Sequence, residues 1–437
     1  MSVNADRDAR REQGRWFSAA TLSDQAVVWL LSSIAFLNAL GSIIVFPLGP
    51  FFAQDLGTAA QDVGFASASY SLAAAAGGFG ASFVLDRFDR RAALLAVMAG
   101  FLMATALSGF APNFGPLVAT RALAGLFVGP MTGLLLAIVT DTVPLNRRGA
   151  AVSKMIGAYG VALVFGVPAG VAIASTFGGW RFCFFGIALI GVPLFIGVMR
   201  LLAPQRAHLA SLKPWRLRER ALDFWTLLTS GPSLLSFLLI GSASYAALLI
   251  SPNLPTYLTH NLGLPREKLQ EVYFLGGVFT LVALPLTGRL IDVAGARLMA
   301  VGVAVIMTGL LAAAFLTTTP PLPNVLLFAL IVVFQLIRST INQAWVTRVP
   351  AVQERAAFQT LIAVATNLAQ AAGAATAPAL LAQSAEGRLE GMGLIAAIAI
   401  ASAWAAPLLL AALDRLLASL MPRPSLNDRL TPPVIDV

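Results

Sequence analysis

One cysteine, Cys183, and two histidines, His208 and His260, occur in 437 residues. A single thiol rules out an intramolecular disulfide, and neither residue type clusters at a metal-ligand spacing, which argues against thiol and metal chemistry, and no cofactor is expected. Charge is equally scarce. Asp, Glu, Lys and Arg make up 11% of the chain, against roughly 25% in a soluble domain, which excludes a water-soluble globular protein. No Gly-x-x-x-x-Gly-Lys-Ser/Thr phosphate loop is present, which argues against direct use of ATP. No His, Asp, Ser or Cys constellation falls on adjacent helix ends, so an enzyme is not expected.

Apolar length is what the chain has instead. The sequence is 58% hydrophobic, and runs of about 20 residues recur, each able to cross a hydrocarbon layer of about 30 Å as a helix. Six spans fall near 27–52, 63–85, 92–111, 117–140, 152–177 and 182–202, and six more near 227–257, 269–290, 298–317, 325–347, 357–382 and 392–413. The prediction is an all-α membrane protein of twelve transmembrane helices. The first run is too long for a signal-peptide core and lacks a small-residue cleavage pattern, so it reads as a retained span. With the polar N-terminus inside, 23 of the 29 Lys and Arg residues lie in cytoplasmic segments, which predicts both termini cytoplasmic. The net charge of +9 is then an orientation signal, and nucleic acid is not an expected partner. The expected organisation is a tail at 1–26, a six-helix bundle at 27–202, a basic interfacial linker at 203–226, a second bundle at 227–414 and a tail at 415–437. A monomer in the bilayer is expected, and the Ala- and Arg-rich style suggests a bacterial inner membrane.

Landmarks recur at one offset. "PLGPFFAQDLG" at the end of span one (Pro47, Pro50, Gly57) answers "PNLPTYLTHNLG" at the end of span seven (Pro252, Pro255, Gly263), shifted by 205 to 206 residues. "SFVLDRFDRR" answers "GRLIDVAGAR", with Asp86 matched to Asp292 at 206, and "VPLNRRGAA" answers "VPAVQERAA", with Pro144 matched to Pro350 at 206. Such a repeat predicts two pseudo-symmetric six-helix bundles with a midplane site between them.

The turn after span two is the most charged short stretch between spans, with Asp86, Arg87, Asp89, Arg90 and Arg91 in six positions. It resembles the Gly-x-x-x-Asp-Arg-x-Gly-Arg-Arg loop of the major facilitator superfamily, with Ser82 and Asp89 where glycine is usual. Ser82 is still small enough for close helix approach, and Asp89 can cap the N-terminus of span three. The second copy keeps Gly288, Asp292, Gly295 and Arg297. The resemblance covers essentially the whole chain and implies the major facilitator fold and alternating access. It also implies that Asp86, Arg87, Arg90, Arg91, Asp292 and Arg297 form a conformational latch. A carboxylate at a helix end can bind an arginine or the positive end of a facing helix in one packing of the halves and release it in the other.

Span five carries Gly166, Pro168 and Gly170 in "GAYGVALVFGVPAGVAIASTFGGWRFCFF". Proline interrupts the hydrogen-bond ladder and bends the helix, while glycines permit close packing. The run resembles the span-five motif of proton-linked exporters in the drug and sugar efflux branch. Span four's "RALAGLFVGP" resembles the family motif whose arginine, here Arg121, is associated with proton coupling. No Asp or Glu falls in mid-membrane, since Asp141 and Glu271 lie at span ends; coupling must use groups near the helix ends or a proton on the substrate.

Span ten places Gln335, Arg338, Asn342 and Trp345 on one helical face. A polar stripe facing lipid is costly, so this face is expected to line the central cavity. Asn38, Tyr70, Tyr245 and Asn367 complete the expected substrate contacts, alongside Arg121. Together these readings predict a secondary active transporter exporting a small organic molecule in exchange for protons. Two arginines and no acid within spans favour a neutral or anionic substrate. An importer or facilitator of an organic anion, held by Arg121 and Arg338, is the alternative; a membrane enzyme or assembly factor on the same scaffold is a remote one.

Overall fold

The architecture follows from a computed structural model that describes residues 24–176, 179–206, 209, 217–317, 321–350 and 354–420. The first bundle holds α1 (Asp24–Leu56, interrupted at Ile44), α2 (Gly64–Val84), α3 (Arg90–Gly109), α4 (Phe114–Thr142), α5 and α6 (Arg181–Leu201). Helix α5 runs Leu145–Val161, passes through a π-turn at Ala162–Gly166 and continues as Val167–Thr176. A short helix, α7 (Leu217–Thr229), joins the bundles. The second bundle holds α8 (Gly231–Asn261), α9 (Leu269–Ala294), α10 (Ala296–Phe315), α11 (Asn324–Val346), α12 (Arg355–Leu380) and α13 (Met392–Leu420). Antiparallel β1 (Ala382–Gln383) and β2 (Leu389–Glu390) form a hairpin between α12 and α13. The end of the molecule that carries α7 is called the linker end below, and the opposite one the far end.

Among the described residues, ten stretches are long and apolar enough to cross a membrane by length and composition alone. The other two membrane-length helices, α2 and α12, are rich in Ala, Gly, Ser and Thr. Their placement explains their composition. A Cβ built on Gly64 of α2 would stand 2.5 Å from the Ala374 carbonyl oxygen of α12, so the two helices meet across the bundles and cover each other. The same device packs α2 on α4. Cβ atoms on Gly125 and Gly129 would stand 2.1 and 2.2 Å from the carbonyl oxygens of Tyr70 and Ala74, and one on Gly77 2.1 Å from that of Leu126. Small residues at a four-residue spacing let backbones touch, which is how helices associate when lipid removes the hydrophobic drive.

The duplication is visible in the helix ends. Gly57 and Gly263 close α1 and α8 with φ of 61° and 67°, the left-handed conformation that glycine adopts without strain. Gly49 of α1 faces the Pro252 carbonyl and Thr256 of α8, so these proline-containing ends pack on each other at the far end. There the Ala60 N–H donates to Gln383 Oε1 at 3.0 Å, Arg266 donates to Gln54, and Asn261 exchanges two hydrogen bonds with the Leu389 backbone.

The linker differs from a simple irregular connection. Span seven, expected near 227, begins at Gly231, because Ser230 caps it by accepting from the Ser233 N–H and Pro232 occupies its first turn. The preceding segment is a helix of its own, and its Phe224 ring lies 5.7 and 5.3 Å from Phe79 and Phe83 of α2.

Candidate functional site

Between the bundles lies a cavity of about 180 Å³ lined by α1, α2, α5, α8, α9, α11 and α12. Its polar groups are the phenols of Tyr70, Tyr159 and Tyr273, the amides of Gln335 and Gln370, and hydroxyls that include Ser42, Ser67 and Ser339. None of the residues lining it is charged. The hydroxyl of Ser67 is buried and has no hydrogen-bond partner, so it is available to a molecule in the cavity. Large apolar side chains, Phe46, Leu163 and Leu336 among them, share the wall with these groups, which is the usual make-up of a small-molecule pocket.

Arg121 stands behind this wall. It is fully buried; its Nη2 donates to the Gly41 carbonyl at 2.7 Å, three residues before α1 is interrupted. Its guanidinium lies 4.2 Å from the Tyr70 ring centre and 5.8 Å from that of Phe184, and Phe184 belongs to an aromatic cluster with Phe52 and Trp180. Of the two, Tyr70 alone lines the cavity. The arginine therefore reaches a substrate only through the tyrosine.

The span-ten stripe divides. Gln335 lines the cavity, whereas Arg338 and Asn342 are buried against α8: Arg338 Nη2 donates to the Ala243 carbonyl at 2.8 Å, Nη1 to Ser402 Oγ at 3.4 Å, and Asn342 Nδ2 to the Leu239 carbonyl at 3.3 Å. Backbone carbonyls of a neighbouring helix take part of the hydrogen bonding of these groups, while Arg338 Nε and Asn342 Oδ1 stay buried without a partner. Asn38 is likewise engaged inside its own bundle, donating to Thr132 Oγ1 at 3.0 Å. Thr132 is the position that answers Arg338 at a shift of 206 residues, so both bundles tie span four or ten to span one or seven at this level. Asn367 donates back to the Ala363 carbonyl of its own helix, and Tyr245 sits at the α8–α12 crossing, where a Cβ on Gly373 would be 2.1 Å from its carbonyl oxygen. Of the eight expected substrate contacts, Tyr70 and Gln335 are on the cavity wall, and the other six lie off it, in packing or in hydrogen bonds between helices or, for Asn367, within its own helix.

Comparison with known proteins adds the lineage. The family model for the Major Facilitator Superfamily matches residues 31–374. The chain belongs to this superfamily. Among its relatives, the chloramphenicol resistance protein of Streptomyces lividans is 26% identical over 382 residues, covering 85% of this chain and 94% of that protein. The inner membrane transport protein YdhP of Escherichia coli K12 is 29% identical over 155 residues, 35% of this chain and 40% of that protein. The crystal structure of a D-xylose–proton symporter shares the fold with a TM-score of 0.70 at 16% identity, over 88% of this chain and 96% of that one. The Major Facilitator chain is thus a multi-pass transporter of small molecules.

In this superfamily member the charged turn knits the first bundle together. Arg90 donates to the Ala137 carbonyl at 2.9 Å and pairs with Asp141 of α4, and Arg91 donates to the Met199 carbonyl of α6. Asp89, standing where the family has glycine, caps α3 by accepting from the Arg91 N–H at 2.9 Å and also binds the Gln205 N–H at 3.0 Å and Arg206 at 2.9 Å. Burial pushes its carboxyl up, but the Gln205 N–H, the Arg206 side chain and the Arg91 N–H outweigh it and hold the group below the usual carboxylate range. Arg87 is exposed, and the side chain of Asp86 lies outside the described residues. In the second copy Asp292 and Arg297 are exposed, and Ala296 and Thr347 stand where Arg90 and Asp141 would fall at a shift of 206 residues. The ion pair therefore belongs to the first copy.

The Gly166, Pro168 and Gly170 run lies at the π-turn. The Val167 N–H bonds to the Ala162 carbonyl, five residues back, which accommodates a residue of extra backbone just before the proline. The turn packs on the other bundle: a Cβ on Gly277 of α9 would be 2.7 Å from Val164 N. Gly166 and Gly170 accept the side chains of Leu40 and Ile44 of α1. Sequence reasoning missed the hydroxyls of Ser67, Ser71, Ser244, Ser251, Ser339 and Thr366 in the cavity; the signal was there only as serines on the far sides of spans read for other features.

Proposed function

We propose that this Major Facilitator protein exports neutral small organic molecules in exchange for protons, by alternating access, across a bacterial inner membrane with both termini cytoplasmic. The observation that carries the reading is the central cavity: its wall is uncharged, carries three tyrosines and is supplied with hydroxyl and amide groups. A cation there would lack a counter-charge, and an anion would lack a guanidinium on the wall, because neither Arg121 nor Arg338 lines the cavity. Aromatic faces beside a few polar groups suit an amphipathic molecule that is itself partly apolar. Export is supported by the glycine–proline run of span five and by similarity to a protein named for chloramphenicol resistance. Chloramphenicol, neutral and bearing hydroxyls and an amide, is the first substrate to try.

The test uses everted membrane vesicles from cells expressing the protein. Imposing an inward-acidic gradient is expected to drive concentrative uptake of chloramphenicol, collapse of the gradient to abolish it, and Gln335→Ala to reduce uptake by about tenfold, the loss of one well-placed polar contact worth about 1.4 kcal/mol. Equilibration without concentration, unaffected by the gradient, would replace the antiporter with a facilitator.

A further inference from the structure

A second concavity lies on the outside of the bundle, toward the far end. It encloses about 670 Å³ between α2, α4 and α12, with Phe65, Leu72, Val118, Leu368, Ala372 and Ala375 among its walls. Two of the helices that form it, α2 and α12, also wall the central cavity with their other faces: Ser67, Tyr70 and Ser71 of α2 and Thr366 and Gln370 of α12 line that cavity, whereas Phe65, Ala68 and Leu72 and Leu368, Ala371 and Ala375 line the groove. Its one side-chain polar group, the Ser69 hydroxyl, already bonds the carbonyls of Ala66 and Val118, both at 3.1 Å. Nothing in the groove asks for a polar partner.

The geometry points to a bilayer lipid acyl chain as the resident ligand of this groove. The groove is cut into membrane-crossing helices, so hydrocarbon is the medium at its mouth. Apolar voids do not hold water, and an empty one forfeits the dispersion contacts of every atom lining it. A polar solute would leave its own groups unpaired there. A fluid acyl chain fills the space without either cost. The occupant also bridges the bundles, because α2 and α4 belong to the first and α12 to the second. Rocking the bundles apart at the far end changes the width of the groove, so a chain that fits this width stabilises this arrangement over the opened one. The proposal assigns a lipid site and a means by which bilayer composition sets the conformational equilibrium, and it holds whichever way substrate moves.

The experiment reconstitutes the full chain in phosphatidylcholine vesicles containing a phosphatidylcholine with a photoreactive diazirine on its acyl chain, and maps label by peptide mass spectrometry. Label on residues 65–72 and 368–375 is expected to exceed that on the more open apolar residues Leu189 and Leu408, 72% and 71% exposed, by about fivefold, equivalent to about 1 kcal/mol of preferential occupancy. Ala372 and Ala375 are exposed, so Ala372→Phe combined with Ala375→Phe fills the groove from within and should remove the excess; Leu368→Trp does the same should the double variant not purify as a folded species. Uniform label overturns the proposal. So does an excess that survives filling, or one displaced by chloramphenicol, which would make the groove a substrate portal.

Discussion

At the scale of single residues, Arg121 illustrates how a buried charge is tolerated. Placing it within the membrane costs about 3 kcal/mol on insertion scales. One charge-assisted hydrogen bond to Gly41 returns about 1.5–3 kcal/mol, and stacking on Tyr70 about 0.5–2 kcal/mol. The terms nearly cancel. Arg121→Leu is therefore expected to leave the thermal unfolding midpoint nearly unchanged while abolishing transport. Arg121→Lys keeps the insertion cost but loses the planar fork and the stacking, and should destabilise by about 1–2 kcal/mol; purified variants compared by thermal unfolding decide the order, and a leucine variant less stable than the lysine one would refute this balance. Asp89 makes a second case. Its carboxyl is held below its ordinary value in the folded chain, so its contribution is fully present above the unfolded value near about 3.9 and is lost as pH falls through the folded one. The stability difference between the wild type and Asp89→Ala is expected to be about 1 kcal/mol and flat between about pH 5 and 8. It should shrink only below about pH 4.

At the scale of elements, glycines fall into two physical kinds. Gly277 is one, because any side chain there meets the π-turn backbone of α5. Gly277→Val should cost at least about 1–3 kcal/mol through overpacking and, if substrate crosses by rocking of the bundles, lower transport. Gly302 of α10 has nothing within 4 Å of an added Cβ, and Gly302→Ala should be neutral or stabilise by up to about 1 kcal/mol. Thermal unfolding of the pair separates a packing glycine from a merely helical one. The sequence could announce most spans, because apolar length dictates all but α2 and α12, and the repeat, because Pro47 and Pro252 or Gly57 and Gly263 serve the same helix ends. It could not announce which way Arg338 points. A buried guanidinium needs acceptors, and a cavity or a neighbouring helix's carbonyls satisfy that need equally. The cavity hydroxyls were illegible for a related reason: a helical serine or threonine can bond its own backbone, as Thr366 does to Ile362, so its sequence context carries no mark of what it faces. The π-turn showed only through Pro168.

At the scale of the whole molecule, the contacts that hold the bundles together at the far end include specific polar and close-packed pairs. Ala60 meets Gln383, Gln54 meets Arg266, and Gly49 meets the end of α8. If substrate crosses by rocking of the bundles, these contacts must part in every cycle. Joining them should stop the cycle without disturbing either bundle. The variant Ala60→Cys with Gln383→Cys places two thiols at the mouth of the far end, and the native Cys183 is buried within the first bundle, where it does not compete for reagent. A short, reducible bifunctional thiol cross-linker is expected to abolish transport in vesicles and a reductant to restore it. Each single-cysteine variant should keep its activity under the same treatment. The cross-linked protein should also unfold at a higher temperature, because the link forbids separation of the bundles in the unfolded chain. Undiminished transport through the linked protein would mean that the far end stays closed throughout, and that substrate leaves the cavity between helices into the bilayer.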